Sequence, residues 1–273
     1  MLTDSLIRSA FSVALALFAG ASLFCTARPA TAQGFSASAS PPRFELTAAA
    51  GTRSRNVVEI TNAGVQPAKY RIRTADWTFS PDASVTFHDA LQPGSCRPWV
   101  AIERSELTIP GGGRARFRFE VAVPADAPAG ECRFALMIEG DEPVITSGDA
   151  FRIPVRGRLG IIVYAAVGDA APKLEIVKVG LDASGGKRVP TVWIRNTGTA
   201  HGRLGGFLTG TDAKGRELEF APSSFPVLPG ETRALSLAAQ TGPNEPVDPV
   251  LPVTVQGTLE WSGARVPFEH RFE

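Results

Sequence analysis

Val57-Val58-Glu59-Ile60-Thr61-Asn62-Ala63-Gly64 is answered 134 residues later by Thr191-Val192-Trp193-Ile194-Arg195-Asn196-Thr197-Gly198. A second phrase repeats in the same order. Leu107-Thr108-Ile109-Pro110-Gly111, running to Arg114-Ala115, returns as Pro226-Val227-Leu228-Pro229-Gly230, running to Arg233-Ala234, with the prolines 119 residues apart. Each phrase is an apolar strand closed by Asn-x-Gly or Pro-Gly turn chemistry. A unit longer than a solenoid repeat and present twice predicts two tandem copies of one β module. The two offsets differ by 15 residues, so the first copy carries that much extra chain between its two phrases.

Outward from these phrases the alternation is of period two. Ala115, Phe117, Phe119, Val121 and Val123 point one way, and Arg114, Arg116, Arg118 and Glu120 the other, as in a half-buried antiparallel strand. Tyr70, Ile72 and Thr74 alternate with Lys69, Arg71 and Arg73. Further strands are expected at Phe44–Leu46, Val57–Ile60, Val85–Phe87, Trp99–Ile102 and Phe134–Ile138, with a long closing strand from Phe151 to Tyr164. Small residues at Ala165–Pro172 read as the linker. The second copy is expected to place strands at Leu174–Val179, Thr191–Arg195, Phe207–Gly210, Ala234–Ala238, Val253–Trp261 and Val266–Phe272. The fold class is all-β, two tandem immunoglobulin-like sandwiches, expected over 33–165 and 170–273.

Residues 1–32 read as a cleaved signal peptide. Arg8 precedes an apolar run, Ala10–Phe24, and Ala30-Thr31-Ala32 offers a small-residue cleavage site. The run is shorter than the roughly 20 apolar residues a membrane-spanning helix needs. Phe24 before Cys25 disfavours a lipoprotein site. The mature chain is therefore expected in the periplasm. Without Arg8, Arg28 and Asp4 its formal charge falls from +1 to zero, which suggests neither nucleic acid nor an anionic membrane as partner. Cys96 and Cys132 remain, and an even pair in an oxidising compartment favours a disulfide over two separate thiols.

No catalytic constellation is legible. His88, His201 and His270 have no ligand-spaced neighbours, so no metal site is expected. Nucleophile elbows and phosphate loops are absent, and Gly111-Gly112-Gly113 lies between strands as a hairpin loop. We expect no enzyme, no cofactor and no small-molecule substrate. One stretch could carry binding: Phe151, Ile153 and Val155 alternate with Arg152, Pro154 and Arg156 after a polar loop. On a sheet edge they would suit strand addition; otherwise they pack into their own core.

With these residues quoted, the chain resembles the periplasmic pilus-assembly (PapD-like) chaperones. The resemblance covers the mature chain in architecture and is most specific in the first copy. It implies that Arg43, in Pro41-Pro42-Arg43-Phe44, anchors the C-terminal carboxylate of a pilus or fimbrial subunit. A guanidinium binds a carboxylate bidentately, which suits that task. It also implies that Phe151, Ile153 and Val155 form a donor strand, and that an outer-membrane usher is a further partner. The sequence departs from the family in its Cys96 and Cys132 pair and in two further places. Gly160 stands where the family carries its anchoring lysine, with Arg158 two residues earlier as the candidate replacement. Pro154 removes one backbone donor from the expected donor strand. The alternative is a structural or adhesive immunoglobulin-like envelope protein, since this fold hosts many functions.

Overall fold

A computed structural model describes residues 35–140, 144–147, 151–154, 157–183, 185–242 and 245–273, with backbone alone for 144–147 and 151–154. Residues 1–32, read from the sequence as a signal peptide, lie outside the described residues. The first part of the chain forms twelve strands: β1 (Ala37–Ser40), β2 (Arg43–Ala48), β3 (Arg53–Asn62), β4 (Ala68–Phe79), β5 (Val85–His88), β6 (Val100–Ile102), β7 (Glu106–Ile109), β8 (Arg114–Ala122), β9 (Gly130–Gly140), β10 (Val144–Ser147), β11 (Phe151–Pro154) and β12 (Arg158–Val167). One sheet runs β1-β3-β8-β6. The other runs β2-β12-β9-β4, and β5 and β7 both pair with β4. The expected alternation fills the space between them. Ile60, Phe117, Phe119 and Val121 meet Phe134, Leu136, Ile138, Ile161 and Val163 in one buried cluster. Cys96 and Cys132 are joined as a disulfide at the edge of that cluster, with their Cα atoms 5.8 Å apart.

The second part forms β13 (Leu174–Asp182), β14 (Val189–Asn196), β15 (Gly205–Thr211), β16 (Glu217–Pro222), β17 (Thr232–Gln240), β18 (Val253–Trp261) and β19 (Ala264–Phe272). They follow one hydrogen-bonded path, β13-β14-β17-β16-β15-β18-β19, around a core that includes Val192, Ile194, Leu208, Phe220, Leu235, Val255 and Leu259. Ser262 and Gly263, both at positive φ, make the tight β18–β19 turn.

The repeated phrases touch each other within each copy. Asn62 ends β3 fully buried, and its amide donates to the carbonyls of Gln66 (2.8 Å), Ile109 (3.1 Å) and Pro110 (3.2 Å). Asn196 donates in the same way to Ala200 and Val227, both at 2.8 Å. Each side-chain oxygen accepts the N–H two residues on, at Gly64 and Gly198. The asparagine thus satisfies loop carbonyls that would otherwise be buried without donors. This is why the strand ending in Asn and the loop containing Pro-Gly recur as a pair.

Three expectations are corrected. The long closing strand from Phe151 to Tyr164 is two strands: β11 pairs with β10 in a separate two-stranded ribbon, and β12 enters the main sheet. Pro154 lacks the N–H that would extend a ladder, and a Cβ at Gly157 would lie 1.9 Å from Phe35 Cβ, so neither residue suits a continuous strand. The closing strand is also not an edge along its length, because β2 pairs with it in parallel over Ile162–Val167. Finally, β12 continues to Val167, so the link starts at Gly168, which has a φ of +67°. Strand β7 is the strand of the repeated Leu107–Gly111 phrase, whereas β1, β10 and β16 were not foreseen; β16 buries Leu218 and Phe220.

Candidate functional site

Along β12 the residues Ile161, Val163 and Ala165 face the core, so Arg158, Gly160, Ile162 and Tyr164 face outward. Cross-strand registers extend these four into rows across the outer face. Tyr164 lies between Glu45 and Arg133, and Ile162 lies between Arg43 and Ala135, with Ala75 beyond. Gly160 lies beside Met137 and then Arg73, and Arg158 beside Glu139 and then Arg71. The face therefore changes character over four rows, from polar and aromatic through small and apolar to fully charged.

The second sandwich sits on the Glu45–Tyr164–Arg133 row. The His201 ring stacks on Tyr164 with centroids 3.8 Å apart, and the Arg203 guanidinium lies 5.8 Å from the same ring. Glu131 receives the backbone N–H of His201 at 2.9 Å and contacts its Nδ1, and the Glu131 N–H donates to Thr199 O at 3.0 Å. A second contact lies at the end of β4. Arg233 donates to Ser80 O at 3.0 Å, its guanidinium lies 3.9 Å over Phe79, and Phe225 meets Phe79 edge-on. Burial of the Tyr164 phenol pushes its pKa up.

Arg43 stands at the rim of this junction, its side chain 50% exposed, and its Nε donates to Glu45 Oε1 at 2.7 Å. The same oxygen lies 3.6 Å from Arg203 Nε and 3.8 Å from His201 Nε2. Partial burial pushes the Glu45 carboxyl up, but the Arg43 hydrogen bond and the positive charge of His201, Arg43 and Arg203 outweigh it and hold the group below its usual value. Five buried side-chain atoms among the described residues have no hydrogen-bond partner: Trp77 Nε1, Glu131 Oε1, Arg133 Nη1, Arg203 Nε and Arg233 Nε. Four belong to residues of the junction, and Trp77 packs edge-on against Tyr164 beside it. Such atoms cost about 1–3 kcal/mol each, so this is the least satisfied region described.

The other expected site residues are distributed as follows. Arg158 is four residues from the Arg43 level, about 13 Å along the strand. It lines a separate cleft of about 410 Å³ with Arg71, Arg73, Asp89 and Glu139, where Arg73 is bound by Glu139 (2.7 Å) and Asp89 (2.6 Å). Phe87 stands between the two arginines. A Cβ on Gly160 would lie 2.4 Å from the tip of that ring, and Phe87 packs with Trp77 and Ile162 on buried Ala75, Ala135 and Met137. The structure therefore does not bring Arg43 and Arg158 together, and it fills the Gly160 position with an aromatic ring. Phe151 and Ile153 lie in β11, opposite Ser147 and Ile145 of β10; Val155 lies outside the described residues.

No protein-family model matches the sequence, and no curated protein matches it. Solved structures match in shape. The class 5 fimbriae chaperone CfaA is 10% identical, with 87% of this chain and 99% of that one covered at a TM-score of 0.44. The E. coli chaperone DraB is 14% identical, with 86% and 98% covered and a TM-score of 0.45. The Salmonella enterica complex of the SafA pilin with the SafB chaperone matches at 13% identity, 88% and 97% coverage and a TM-score of 0.46.

Sequence reasoning singled out Arg43 but not the residues it meets. Glu45 is visible as the next residue on the same face of β2, as Arg43-x-Glu45. His201 and Arg203 follow the Asn-Thr-Gly turn of the second copy. Nothing in either stretch signals that they approach, because the contact depends on how the two sandwiches are set against each other.

Proposed function

We propose that this chain is a non-enzymatic periplasmic chaperone that holds a fimbrial or surface-polymer subunit by strand addition, with Arg43 receiving the subunit's C-terminal carboxylate. The observation that carries this reading is the placement of Arg43: half-exposed, on an outward strand position, at the rim of the junction between two immunoglobulin-like sandwiches. Two features of the backbone support it. Among the described residues no strand covers Arg158–Ile161 on the side where β2 pairs only from Ile162 onward, so the first half of β12 offers an open edge. The β10–β11 ribbon, which carries Phe151 and Ile153, immediately precedes that end of β12 in the chain. Strand addition draws on backbone hydrogen bonds and apolar burial and needs no nucleotide.

A second reading has one observation in its favour. Arg43 is paired internally with Glu45, as it would be in a structural or adhesive envelope module that binds nothing there. Co-purification from the periplasm, with the wild type and Arg43→Ala compared by mass spectrometry, separates the two. A secreted β-rich protein retained by the wild type and lost from the variant is the expected result. Nothing retained by either, with the cognate subunits expressed, favours the structural module. Equal retention keeps the chaperone and removes Arg43 from its mechanism.

A further inference from the structure

Two guanidinium groups and an imidazole converge on one oxygen atom, Glu45 Oε1: Arg43 Nε at 2.7 Å, Arg203 Nε at 3.6 Å and His201 Nε2 at 3.8 Å. Only the first of these distances is a hydrogen bond. Arg203 Nε is buried and has no acceptor, although it belongs to a guanidinium that packs over Tyr164 and donates through Nη1 to Ser224 O. A buried charged donor aimed toward a carboxylate that it does not reach is a costly arrangement. The Glu45 side chain is 48% exposed and accepts one hydrogen bond, from Arg43. It therefore sits among the three groups and bonds only one of them.

We propose that Glu45 stands in for a partner's carboxylate in the free protein, and that Arg203 of the second sandwich is the second arm of the carboxylate site, opposite Arg43. The inference rests on the reading of Arg43 as an anchor and names its regulation. An incoming peptide carboxylate has two oxygens, so it can accept from Arg43 and from Arg203 Nε together, which a single Glu45 oxygen does not do. The charged and polar groups facing the position are Arg43, Glu45, His201, Arg203, Glu131, Arg133 and the Tyr164 phenol, which leaves cationic groups in excess once Glu45 swings away. Other candidates for the second arm are ruled out by position. Residue 160 is a glycine under the Phe87 ring, and Arg158 is about four residues further along β12. Because Arg203 and His201 belong to the second sandwich, exchanging Glu45 for a partner's carboxylate transfers the load of the junction onto the bound chain. The device is an internal competitor: it keeps the site closed to weak anions and couples occupancy to the packing of the two sandwiches.

The test is titration of the mature full-length chain with N-acetylphenylalanine, followed by NMR of the arginine Nε–H signals, with N-acetylphenylalaninamide as control. The acid is expected to move the Arg43 and Arg203 signals together, and the amide neither. Glu45→Gln, which keeps the shape and removes the competing charge, should bind the acid about tenfold more tightly. Arg203→Gln should weaken it by about tenfold, with Arg203→Lys in between. A Glu45→Gln/Arg203→Gln double variant that binds like Glu45→Gln alone would remove Arg203 from the site. An unmoved Arg203 signal, or Glu45→Gln binding no tighter than wild type while still folded by NMR, overturns the proposal. Failure of the chaperone reading would look different: normal probe binding with no subunit recovered. A subunit held through Arg43 but indifferent to Glu45 and Arg203 would sink this inference and keep the chaperone.

Discussion

The two sandwiches share an internal lock and differ in what they carry outside it. In both, a buried asparagine at the end of a strand ties down the Pro-Gly phrase itself, and the residue two positions on is a glycine that donates to its side-chain oxygen. The first is built from two separate sheets, stapled by a disulfide and provided with an outward face that runs from aromatic to charged. The second is one continuous strand path whose contribution to the junction comes from one loop, with His201 and Arg203, and from Arg233 and Phe225. Shared scaffold was retained where the backbone must be satisfied. Divergence collected on surfaces where nothing in the core dictates the residue.

The sharpest way to break the comparison is the disulfide, which only the first sandwich has. Cys96→Ser/Cys132→Ser should destabilise the first sandwich by about 4 kcal/mol for a loop of 36 residues, less any native strain, and leave the second unchanged. Chemical denaturation followed by hydrogen exchange resolves the two, and equal loss in both would mean they unfold as one unit. Next is the shared lock. Asn62→Ala and Asn196→Ala should each cost about 3 kcal/mol, because several buried carbonyls lose their donor at once. A large cost in one sandwich with a negligible cost in the other would show that the repeat is an accident of sequence.

A smaller effect tests the surface that only the first sandwich has. Gly160→Lys should cost about 1–3 kcal/mol by driving out the Phe87 ring, and Phe87→Ala in the same chain should recover part of it. If Gly160→Lys is neutral, the ring does not hold that position in solution.

The smallest effect is the pH response of the junction. Glu45 has a folded pKa below its ordinary 4.5, so its contribution is fully present above that value and is lost as pH falls through the lowered one. The pair is well exposed and solvent-screened, so less than about 1 kcal/mol is at stake. Asp212, in the second sandwich, is held lower still: burial raises it, but Arg216 and the N–H groups of Val250, Arg216 and Lys214 outweigh that. Acid should therefore loosen the junction before it reaches Asp212. Trp77 fluorescence against pH, with Glu45→Gln abolishing the first step, checks that order.

The reading of the sequence reached the scaffold and one member of the site. Period-two runs at Phe117–Val123 and Tyr70–Ile72 marked strands correctly because burial on one face of a pleated sheet imposes alternation locally. The Phe151–Tyr164 stretch was read as one strand because its alternation continues through the break; Pro154 and Gly157 were visible, but Phe35, which forbids a side chain at Gly157, is over a hundred residues away. Arg158 seemed a substitute for a missing lysine since it shares a face with Gly160, and the Phe87 ring between it and Arg43 has no local signature.

By itself, then, the sequence determined the strand pattern, the repeated asparagine lock, the disulfide and an all-β architecture of two modules. These follow from properties carried within a few residues: alternation, turn chemistry and cysteine parity. Tertiary structure alone decided that Glu45, the partner of Arg43, meets His201 and Arg203, that an aromatic ring fills the place over Gly160, and that most of the unsatisfied polar atoms gather at the junction. Those outcomes depend on the angle between two sandwiches and on loops crossing a sheet face. Contacts between residues 150 or more positions apart, such as Glu45 with Arg203, are chosen by packing and charge in three dimensions and leave no period in the chain.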